Sequence, residues 1–330
     1  MTPRPDRVFT DGPLAGLEGW AVQIPMALRY RRLRERRAVL LRGPAGWGEF
    51  SPFDQYDDQT STRWLAAALE SATQPLPAPM RYRIPANVTV PPVPAPQARR
   101  LVEDSGCQTA KVKVAEAGHD FAEDISRVAA VREALGESGF LRLDVNGAWG
   151  VDEAEARLRR LEEFDLQYVE QPCATLSELA ELRRRTEIPI AADESIRSAA
   201  SPEQIVSSQA ADMLVMKVQP MGGVNRLLEW ASRTGLPVIP SSALETSVGL
   251  AAGLAAAAAL PELRYACGLA TASLLAGDVV PKPLLPERGE IALRRPKPAP
   301  ELLARWRPEE EVASGMITRA ERAAALLRCS

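Results

Sequence analysis

From about residue 83 onward, short apolar runs rich in β-branched residues alternate with polar segments of helical periodicity. The ionisable residues at the ends of successive runs recur at spacings of 23 to 26 positions. A repeat of this length accommodates one strand, one helix and two short loops, which is typical of parallel βαβ units. The eight runs span residues 83–90, 110–114, 140–146, 166–172, 188–195, 213–220, 236–242 and 264–271.

Two α/β architectures satisfy this alternation, an open doubly wound sheet and a closed barrel. Eight units within about 190 residues favour a compact (β/α)₈ barrel. No Gly-x-Gly-x-x-Gly motif follows the first strands, which weakens the alternative of a dinucleotide-binding sheet. The sequence therefore predicts a TIM-like barrel.

The two ends of the chain depart from the alternating pattern. Two strand-like segments and a helix-like segment fill the first part and predict an α+β domain, and the Pro-rich stretch 75–85 reads as a linker. Beyond residue 284, an Arg- and Pro-rich stretch leads to a last helix at about 308–328, which we expect to return to the first domain. The predicted divisions are 1–80, 81–283 and 284–330.

Composition limits the partners of the chain. Forty Lys and Arg against 43 Asp and Glu give a net charge of −3, which argues against a nucleic-acid binder. The longest apolar run, 248–260, consists mostly of Ala and Gly and is too short to span a bilayer, so it predicts a buried helix. No secretory signal or Cys-x-x-Cys pair occurs. We expect a soluble cytoplasmic protein without nucleic-acid or membrane partners.

Lysine is rare in this chain, with five lysines among 40 cationic residues. Lys can lose its proton near neutral pH and Arg cannot, so a retained lysine marks a position where proton transfer is possible. Three of the five lie at ends of predicted strands, where the active site of a barrel is built. The predicted strands from the second to the sixth end in Lys111 and Lys113, Asp144, Glu170, Asp193 and Lys217.

The charged strand ends predict a metal site. Alternate residues of a strand face the same side, so Lys111 and Lys113 both face the lumen, and Asn146 accompanies Asp144 in the same way. Carboxylates on three adjacent strands repel one another unless a hard cation with oxygen ligands binds them, and Mg²⁺ suits such ligands better than zinc. With a carboxylate substrate on the metal, Lys113 would transfer the α-proton, while Lys111 and Mg²⁺ lower its pKa. Any single one of these charges could equally be structural.

The motifs at these positions resemble the muconate lactonising subgroup of the enolase superfamily. The motifs that carry the resemblance are Lys111-Val-Lys113, Asp144-x-Asn146, Val169-Glu170-Gln171-Pro172, Ala192-Asp193-Glu194-Ser195 and Lys217. Longer segments, among them 43–53, 106–118 and 241–263, resemble the o-succinylbenzoate synthase family within this subgroup. The resemblance implies a modified TIM barrel, (β/α)₇β, with an α+β capping domain built from both termini.

The same resemblance implies an activity, the Mg²⁺-dependent syn-dehydration of 2-succinyl-6-hydroxy-2,4-cyclohexadiene-1-carboxylate to o-succinylbenzoate in menaquinone biosynthesis. Lys113 would act as base and then as acid, and Lys217 would stabilise the enediolate. The remaining implied roles are Mg²⁺ binding by Asp144, Glu170 and Asp193, and substrate contacts by Asn146, Gly222, Gly223, Ser241 and Ser242.

Other readings remain open. Two lysines on opposite faces also suit an N-acylamino acid racemase or a dipeptide epimerase, although 268–271 lacks the Asp-x-Asp by which such epimerases hold an ammonium group. An inactive barrel acting as a binding protein would have lost a metal ligand or a lysine, and none is missing. The segment Arg29–Leu33 reads RYRRL where related sequences carry Phe-Arg-Gly, so the mobility of this expected active-site loop, like the oligomeric state, stays open.

Overall fold

The computed structural model describes residues 4–30 and 33–327, so residues 31 and 32 of the expected loop at Arg29–Leu33 lie outside the described residues. A seven-stranded parallel sheet and a four-stranded antiparallel sheet organise the chain. The predicted fold class, a modified TIM barrel with an α+β capping domain, is confirmed. The boundaries proposed for the domains stay predictions.

The capping domain is an antiparallel sheet in the order β1-β2-β3-β4, followed by a helix. β4 was not predicted, because its sequence GWGEF has low β propensity; pairing with β3 across a tight turn overrides that preference. The helix α1 begins after Asp57, whose side chain accepts a hydrogen bond from Thr60 N at 2.7 Å. The elements are β1 (Arg7–Val8), β2 (Glu18–Tyr30), β3 (Leu33–Gly43), β4 (Gly46–Phe50) and α1 (Asp58–Thr73).

The barrel sheet runs in chain order from β6 to β12. Cys267 and Gly268 close the ring, since Cys267 bridges to Ala86 and Gly268 bridges to Ser241. The barrel strands are β6 (Val88–Val90), β7 (Thr109–Lys113), β8 (Phe140–Asp144), β9 (Leu166–Glu170), β10 (Ile190–Ala192), β11 (Met213–Lys217) and β12 (Val238–Ser241). Two further strands, β5 (Arg83–Pro85) and β13 (Glu290–Ala292), form a separate small sheet.

Two strand predictions need correction. The run 83–90 is not one strand: β5 leaves the barrel to pair antiparallel with β13, and only β6 joins the parallel sheet. The break between β5 and β6 follows Pro85, whose ring nitrogen has no hydrogen to donate to a neighbouring strand. The run 264–271 contributes only the bridges of residues 267 and 268 to the sheet.

Helices follow the barrel strands. The Ala-rich run forms the buried helix α10, as predicted, and none of the described helices combines the length and the apolar character needed to cross a bilayer. The barrel helices are α2 (Ala95–Ser105), α3 (Phe121–Leu135), α4 (Val151–Leu161), α5 (Leu176–Arg183), α6 (Glu194–Ser198), α7 (Pro202–Ser208), α8 (Val218–Met221), α9 (Val224–Thr234) and α10 (Ser247–Ala259).

The end of the described chain returns to the capping domain through α11 (Pro300–Arg305) and α12 (Glu310–Leu327). The sequence analysis does not predict the short helix α11, because it follows a Pro-rich stretch. Proline is nevertheless favourable in the first turn of a helix, where Pro300 lies. On α12, Ile317 and Ala320 share a hydrophobic core with Phe9 and Leu65. Residues from both ends of the chain therefore build one capping-domain core.

The capping domain contacts the barrel through carboxylates at helix N-termini. Glu49 of β4 accepts hydrogen bonds from Thr246 N at 3.1 Å and Gly249 N at 3.0 Å, at the start of α10. Glu70 of α1 accepts from Asn225 N at 3.1 Å, at the start of α9. Negative charge at a helix N-terminus is favourable, because it meets unpaired N–H groups and the positive end of the helix dipole. These contacts hold the capping domain over the end of the barrel where the strands finish.

Burial of Glu49 has an electrostatic cost. Burial and the neighbouring charge of Glu245 raise the pKa of Glu49 to about 7, although hydrogen bonds from Thr246 and Ser51 act in the opposite direction. The carboxyl at this domain interface therefore titrates near neutral pH.

The close approach of β4 to α1 predicts that Gly48→Ala destabilises the protein by about 1–3 kcal/mol. A Cβ at Gly48 would lie 2.0 Å from the carbonyl oxygen of Ala68, which is helix backbone and cannot turn away. Gly315→Ala on α12 is the matched control, because a Cβ there meets no atom within 4 Å. It should stabilise the helix by about 0.5–1 kcal/mol. Denaturant unfolding of the two variants measures both effects, and equal free energies of unfolding would contradict the packing described.

The raised pKa of Glu49 predicts a pH-dependent stability. Because the folded-state pKa of about 7 exceeds the ordinary value of 4.5, the unfolding free energy falls as pH rises through that interval. Glu49→Gln cannot ionise, so the variant should gain stability over wild type between pH 5 and pH 8, on the order of 1–3 kcal/mol. Urea unfolding at both pH values measures the difference, and the exposed Glu309→Gln is the surface control. A difference that stays constant with pH rules out the titration of Glu49 in this range.

Candidate active site

The strand register brings the predicted charges together at one end of the barrel. Lys113 pairs with Asp144 across β7 and β8, and Asp144 pairs with Glu170 across β8 and β9. The Nζ atom of Lys111 lies 2.7 Å from Glu170 Oε2 and 3.2 Å from Asp144 Oδ2. The ammonium group of Lys113 is ion-paired with Asp144 and donates to Asn146 Oδ1 at 2.6 Å. All four charged side chains are buried.

A second group of charges lies across the lumen. Lys217, at the end of β11, is ion-paired with Asp193, which directly follows β10. Arg197 of α6 donates to the other carboxylate oxygen of Asp193, Oδ1, at 2.8 Å. The guanidinium also donates to the hydroxyl of Tyr56 at 3.3 Å, so Arg197 links this carboxylate to the capping domain.

The ion pairs alter the acidity of the buried groups. Burial alone would lower the pKa of Lys111, but the attraction of Glu170 and Asp144 outweighs it and raises that pKa well above its usual value. Burial and the negative charge of Asp144 raise the pKa of Glu170 to about 7. Burial opposes ionisation of Asp193 as well, yet Arg197 and Lys217 hold its pKa below the usual range. Lys111 therefore stays protonated at neutral pH.

The acidic residues supply a donor set for a hard cation. Asp144, Glu170 and Asp193 offer carboxylate oxygens, and Glu170 Oε1 is buried without a hydrogen-bond partner among the described residues. Within residues 4–30 and 33–327, however, no three acidic, His or Cys side chains are gathered closely enough to share one ion. The carboxylates are turned towards the lysines instead. The chemistry and the burial of the three carboxylates fit a divalent cation. To bind one ion together, the carboxylates would have to turn away from the lysines and towards the ion.

A narrow cleft lies above these charges, between the barrel and the capping domain. Its mixture of cationic, hydroxyl and apolar groups suits a small organic acid. The residues that line it are Tyr30, Phe53, Thr89, Lys111, Asp144, Arg197, Lys217, Pro220, Ser241, Ser242, Ala243, Leu244, Gly268 and Thr271.

The structure separates the predicted substrate contacts into two groups. Ser241 and Ser242 line the cleft, whereas Asn146, which contacts Lys113, and the two residues Gly222 and Gly223 are not among the described residues that line it. These glycines form the turn into α9, with φ of 94° and 139°, and a Cβ at Gly223 would lie 1.8 Å from Glu70 Oε2. The lack of a side chain at Gly223 therefore serves the contact between the domains.

Arg197, Tyr30 and Phe53 are among the cleft residues that the sequence analysis did not predict. Arg197 carried a usable signal, because it lies four residues after Asp193 and such pairs meet on a helical turn. Tyr30 and Phe53 belong to the capping domain, and no spacing within the barrel repeat points to them. The Nζ atom of Lys113 lies 5.5 Å from the centre of the Tyr30 ring, so the capping domain reaches one of the two candidate catalytic lysines.

Comparison with protein families matches residues 95–299 to the family described as Enolase C-terminal domain-like, and residues 21–72 to Enolase N-terminal domain-like. An o-succinylbenzoate synthase of Thermobifida fusca (strain YX) is 56% identical over 279 residues, covering 84% of this chain and 88% of that protein. One of Mycobacterium tuberculosis (strain ATCC 25618 / H37Rv) is 50% identical over 283 residues, covering 85% and 86%.

Solved structures show the same fold. The muconate lactonizing enzyme of Pseudomonas fluorescens superimposes with a TM-score of 0.76 at 21% identity, covering 88% of this chain and 98% of that chain. The L-Ala-D/L-Glu epimerase of Bacillus subtilis superimposes with a TM-score of 0.71 at 23% identity, covering 86% and 97%. At these low sequence identities, the similarity is limited to the fold.

Proposed function

The chain belongs to the enolase superfamily, and on this premise we propose that it converts 2-succinyl-6-hydroxy-2,4-cyclohexadiene-1-carboxylate to o-succinylbenzoate and water. The proposal is supported by curated o-succinylbenzoate synthases that are 48–56% identical over most of the chain. The structural observation that carries it is the position of Lys113 and Lys217 at the ends of β7 and β11, both turned towards buried carboxylates.

The reaction removes a proton from the ring carbon that bears the carboxylate and a hydroxide from the adjacent carbon. In the proposed mechanism the neutral amine of Lys113 takes the proton, and the C–H electron pair moves into the ring and its carboxylate. The ammonium so formed then protonates the departing hydroxyl from the same face, so that water leaves and the ring becomes aromatic. Lys113 ends the cycle as the neutral amine, and no other reactant is consumed.

The other two lysines would act through charge. Lys217 is ion-paired with Asp193 and would stabilise the negative charge that develops on the substrate carboxylate. Lys111 stays protonated beside Asp144, the carboxylate that also pairs with Lys113. A fixed positive charge beside Lys113 favours its neutral form, which is the form that can accept a proton.

We assign Asp144, Glu170 and Asp193 as the ligands of Mg²⁺. When bound, the ion would supply positive charge to the substrate carboxylate as negative charge develops there. Asp144 and Asp193 are ion-paired with Lys113 and Lys217, so their carboxylates would have to turn from the ammonium groups to hold the ion. The proposal places the enzyme in the cytoplasm, in menaquinone biosynthesis.

Racemisation of N-acylamino acids is the second candidate, because lysines of two well-separated strands, β7 and β11, could invert an α-carbon. Dipeptide epimerisation is less well supported, since Gly268 and Thr271 line the cleft where a carboxylate would be needed to bind a free ammonium group. An inactive barrel used for binding would not need Lys111, Lys113 and Lys217 paired with three carboxylates.

The mechanism predicts that Lys113→Arg lowers kcat by roughly a thousandfold or more, because Arg keeps the charge but cannot serve as a base. Lys217→Arg keeps a cation beside Asp193 and should cost less. Absorbance of the substrate with Mg²⁺ follows turnover, and Lys282→Arg at an exposed lysine is the matched control. Undiminished turnover by Lys113→Arg contradicts the role of Lys113. A wild-type protein that racemises N-succinyl amino acids and leaves the cyclohexadiene unchanged would favour the second candidate.

The assigned ligands predict that Mg²⁺ raises the melting temperature of the protein, and more at pH 8 than at pH 5.5. Protons compete with the ion for carboxylates, and the pKa of Glu170 near 7 makes that competition effective in this interval. Glu170→Gln should reduce the Mg²⁺-induced shift, whereas the exposed Glu262→Gln should leave it intact. Thermal unfolding with and without Mg²⁺ measures the shift, and equal shifts in the two variants would argue against Glu170 as a ligand.

A further inference from the structure

The guanidinium of Arg36 lies buried at the boundary between the capping domain and the barrel. Arg36 belongs to β3 of the capping domain and is 5% exposed. Within the capping domain it donates from Nη2 to Ser51 O at 2.6 Å. Across the domain boundary it donates from Nε to Leu244 O at 3.1 Å and from Nη2 to Ala243 O at 3.2 Å. One side chain thus holds backbone carbonyls of both domains.

The same guanidinium supports a side chain that faces the cleft. Its central carbon lies 4.3 Å from the centre of the Phe53 ring, a cation–π arrangement. Phe53 lines the cleft from the capping domain, and Ala243 and Leu244 line it from the barrel. Arg36 therefore contacts the outer side of both walls without lining the cleft.

Burial of this charge is costly and needs compensation. Burial lowers the pKa of Arg36, while Glu49 and Glu245 offset the effect through their negative charge. A lysine could not replace it, since three carbonyls and an aromatic face require the planar, forked guanidinium. The contacts at this buried position therefore favour arginine, whereas an exposed position could carry arginine or lysine.

The barrel wall is held in a strained conformation. Leu244 has φ of +66°, a left-handed conformation that a branched side chain rarely adopts. Its N–H donates to Ser242 Oγ at 2.8 Å, and its carbonyl accepts from Arg36. The N–H of Ala243 donates to Glu245 Oε2 at 2.8 Å. Strain of this kind persists only where surrounding contacts impose it, and Arg36 supplies the contact from the other domain.

We propose that Arg36 is a positioning residue that sets the distance between Phe53 and the 243–244 segment, and so fits the cleft to the substrate. The inference rests on the proposed function, under which the fitted group is the flexible, anionic succinyl chain of the substrate. The reacting lysines lie on barrel strands, whereas the hydrogen bonds and ring contact of Arg36 go to the carbonyls and the phenyl ring of the cleft walls, so Arg36 acts on substrate fit rather than on the chemical step.

The test is Arg36→Lys, which keeps the positive charge but removes the planar, forked guanidinium. We expect KM to rise roughly tenfold, because Phe53 and the 243–244 segment are no longer held at the distance that fits the substrate, with kcat changed less than threefold. Binding of o-succinylbenzoate should weaken in parallel, whereas binding of benzoate, which lacks the succinyl chain, should not change. Phe53→Leu removes the stacking partner without touching the buried charge, and should raise KM in the same direction even if Arg36→Lys folds poorly.

Arg81→Lys is the matched control. Arg81 also donates to three carbonyls, those of Ala257, Leu260 and Pro261, at the far end of α10. Its replacement should lower stability and leave KM unchanged. An Arg36→Lys variant with wild-type KM, or an Arg81→Lys variant with the same rise in KM, overturns the proposal.

Hydrogen exchange separates this proposal from the proposed function. Arg36→Lys should speed amide exchange at residues 243–246 and in the 51–53 segment, and Arg81→Lys should not. If wild type fails to convert the cyclohexadiene but these segments loosen, the function is wrong and the link between the walls stands. If wild type is active and neither exchange nor KM changes, the role of Arg36 is wrong and the function stands.

Discussion

The ion pairs between lysines and carboxylates inside the barrel are the constraint on which the rest of the site depends. Removing a charge from water costs several kcal/mol, and only close pairing makes burial tolerable. Here Lys111 and Lys113 face Asp144 and Glu170 because β7, β8 and β9 align their ends in register. A ligand that binds these carboxylates must compete with the lysines, so metal binding and the freedom of a lysine to accept a proton are linked by geometry.

The capping domain completes this arrangement, because a barrel end open to water would weaken every charge interaction in it. Both ends of the described chain contribute to its core, through Phe9 and Ile317. Its attachment is both polar and apolar. Glu49 and Glu70 bind the N-termini of α10 and α9, and Val22 of β2 shares a hydrophobic core with Val248 of α10. Both kinds of contact fix the capping domain against the barrel.

The sequence predicted those features that follow from a periodic pattern. The charged residues from Lys111 to Lys217 were found because a βα repeat places strand ends at one level of the barrel, and the structure places them there. The division of 83–90 into β5 and β6, and the strand β4, depend on pairing partners far along the chain. Residues such as Phe53 and Arg36 reach the cleft or its walls from a second domain, and only the docking of the two domains reveals them.

Under the proposed function, the different chemistry of arginine and lysine accounts for the positions of three of the five lysines. Arg36 and Arg197 hold permanent charges against carbonyls and Asp193, tasks in which a fixed proton and a planar fork are an advantage. Under the proposed mechanism Lys113 needs the opposite property, because it has to lose its proton before it can act as a base. A chain biased towards arginine can thus discard lysine on its surface and still require it at the ends of β7 and β11.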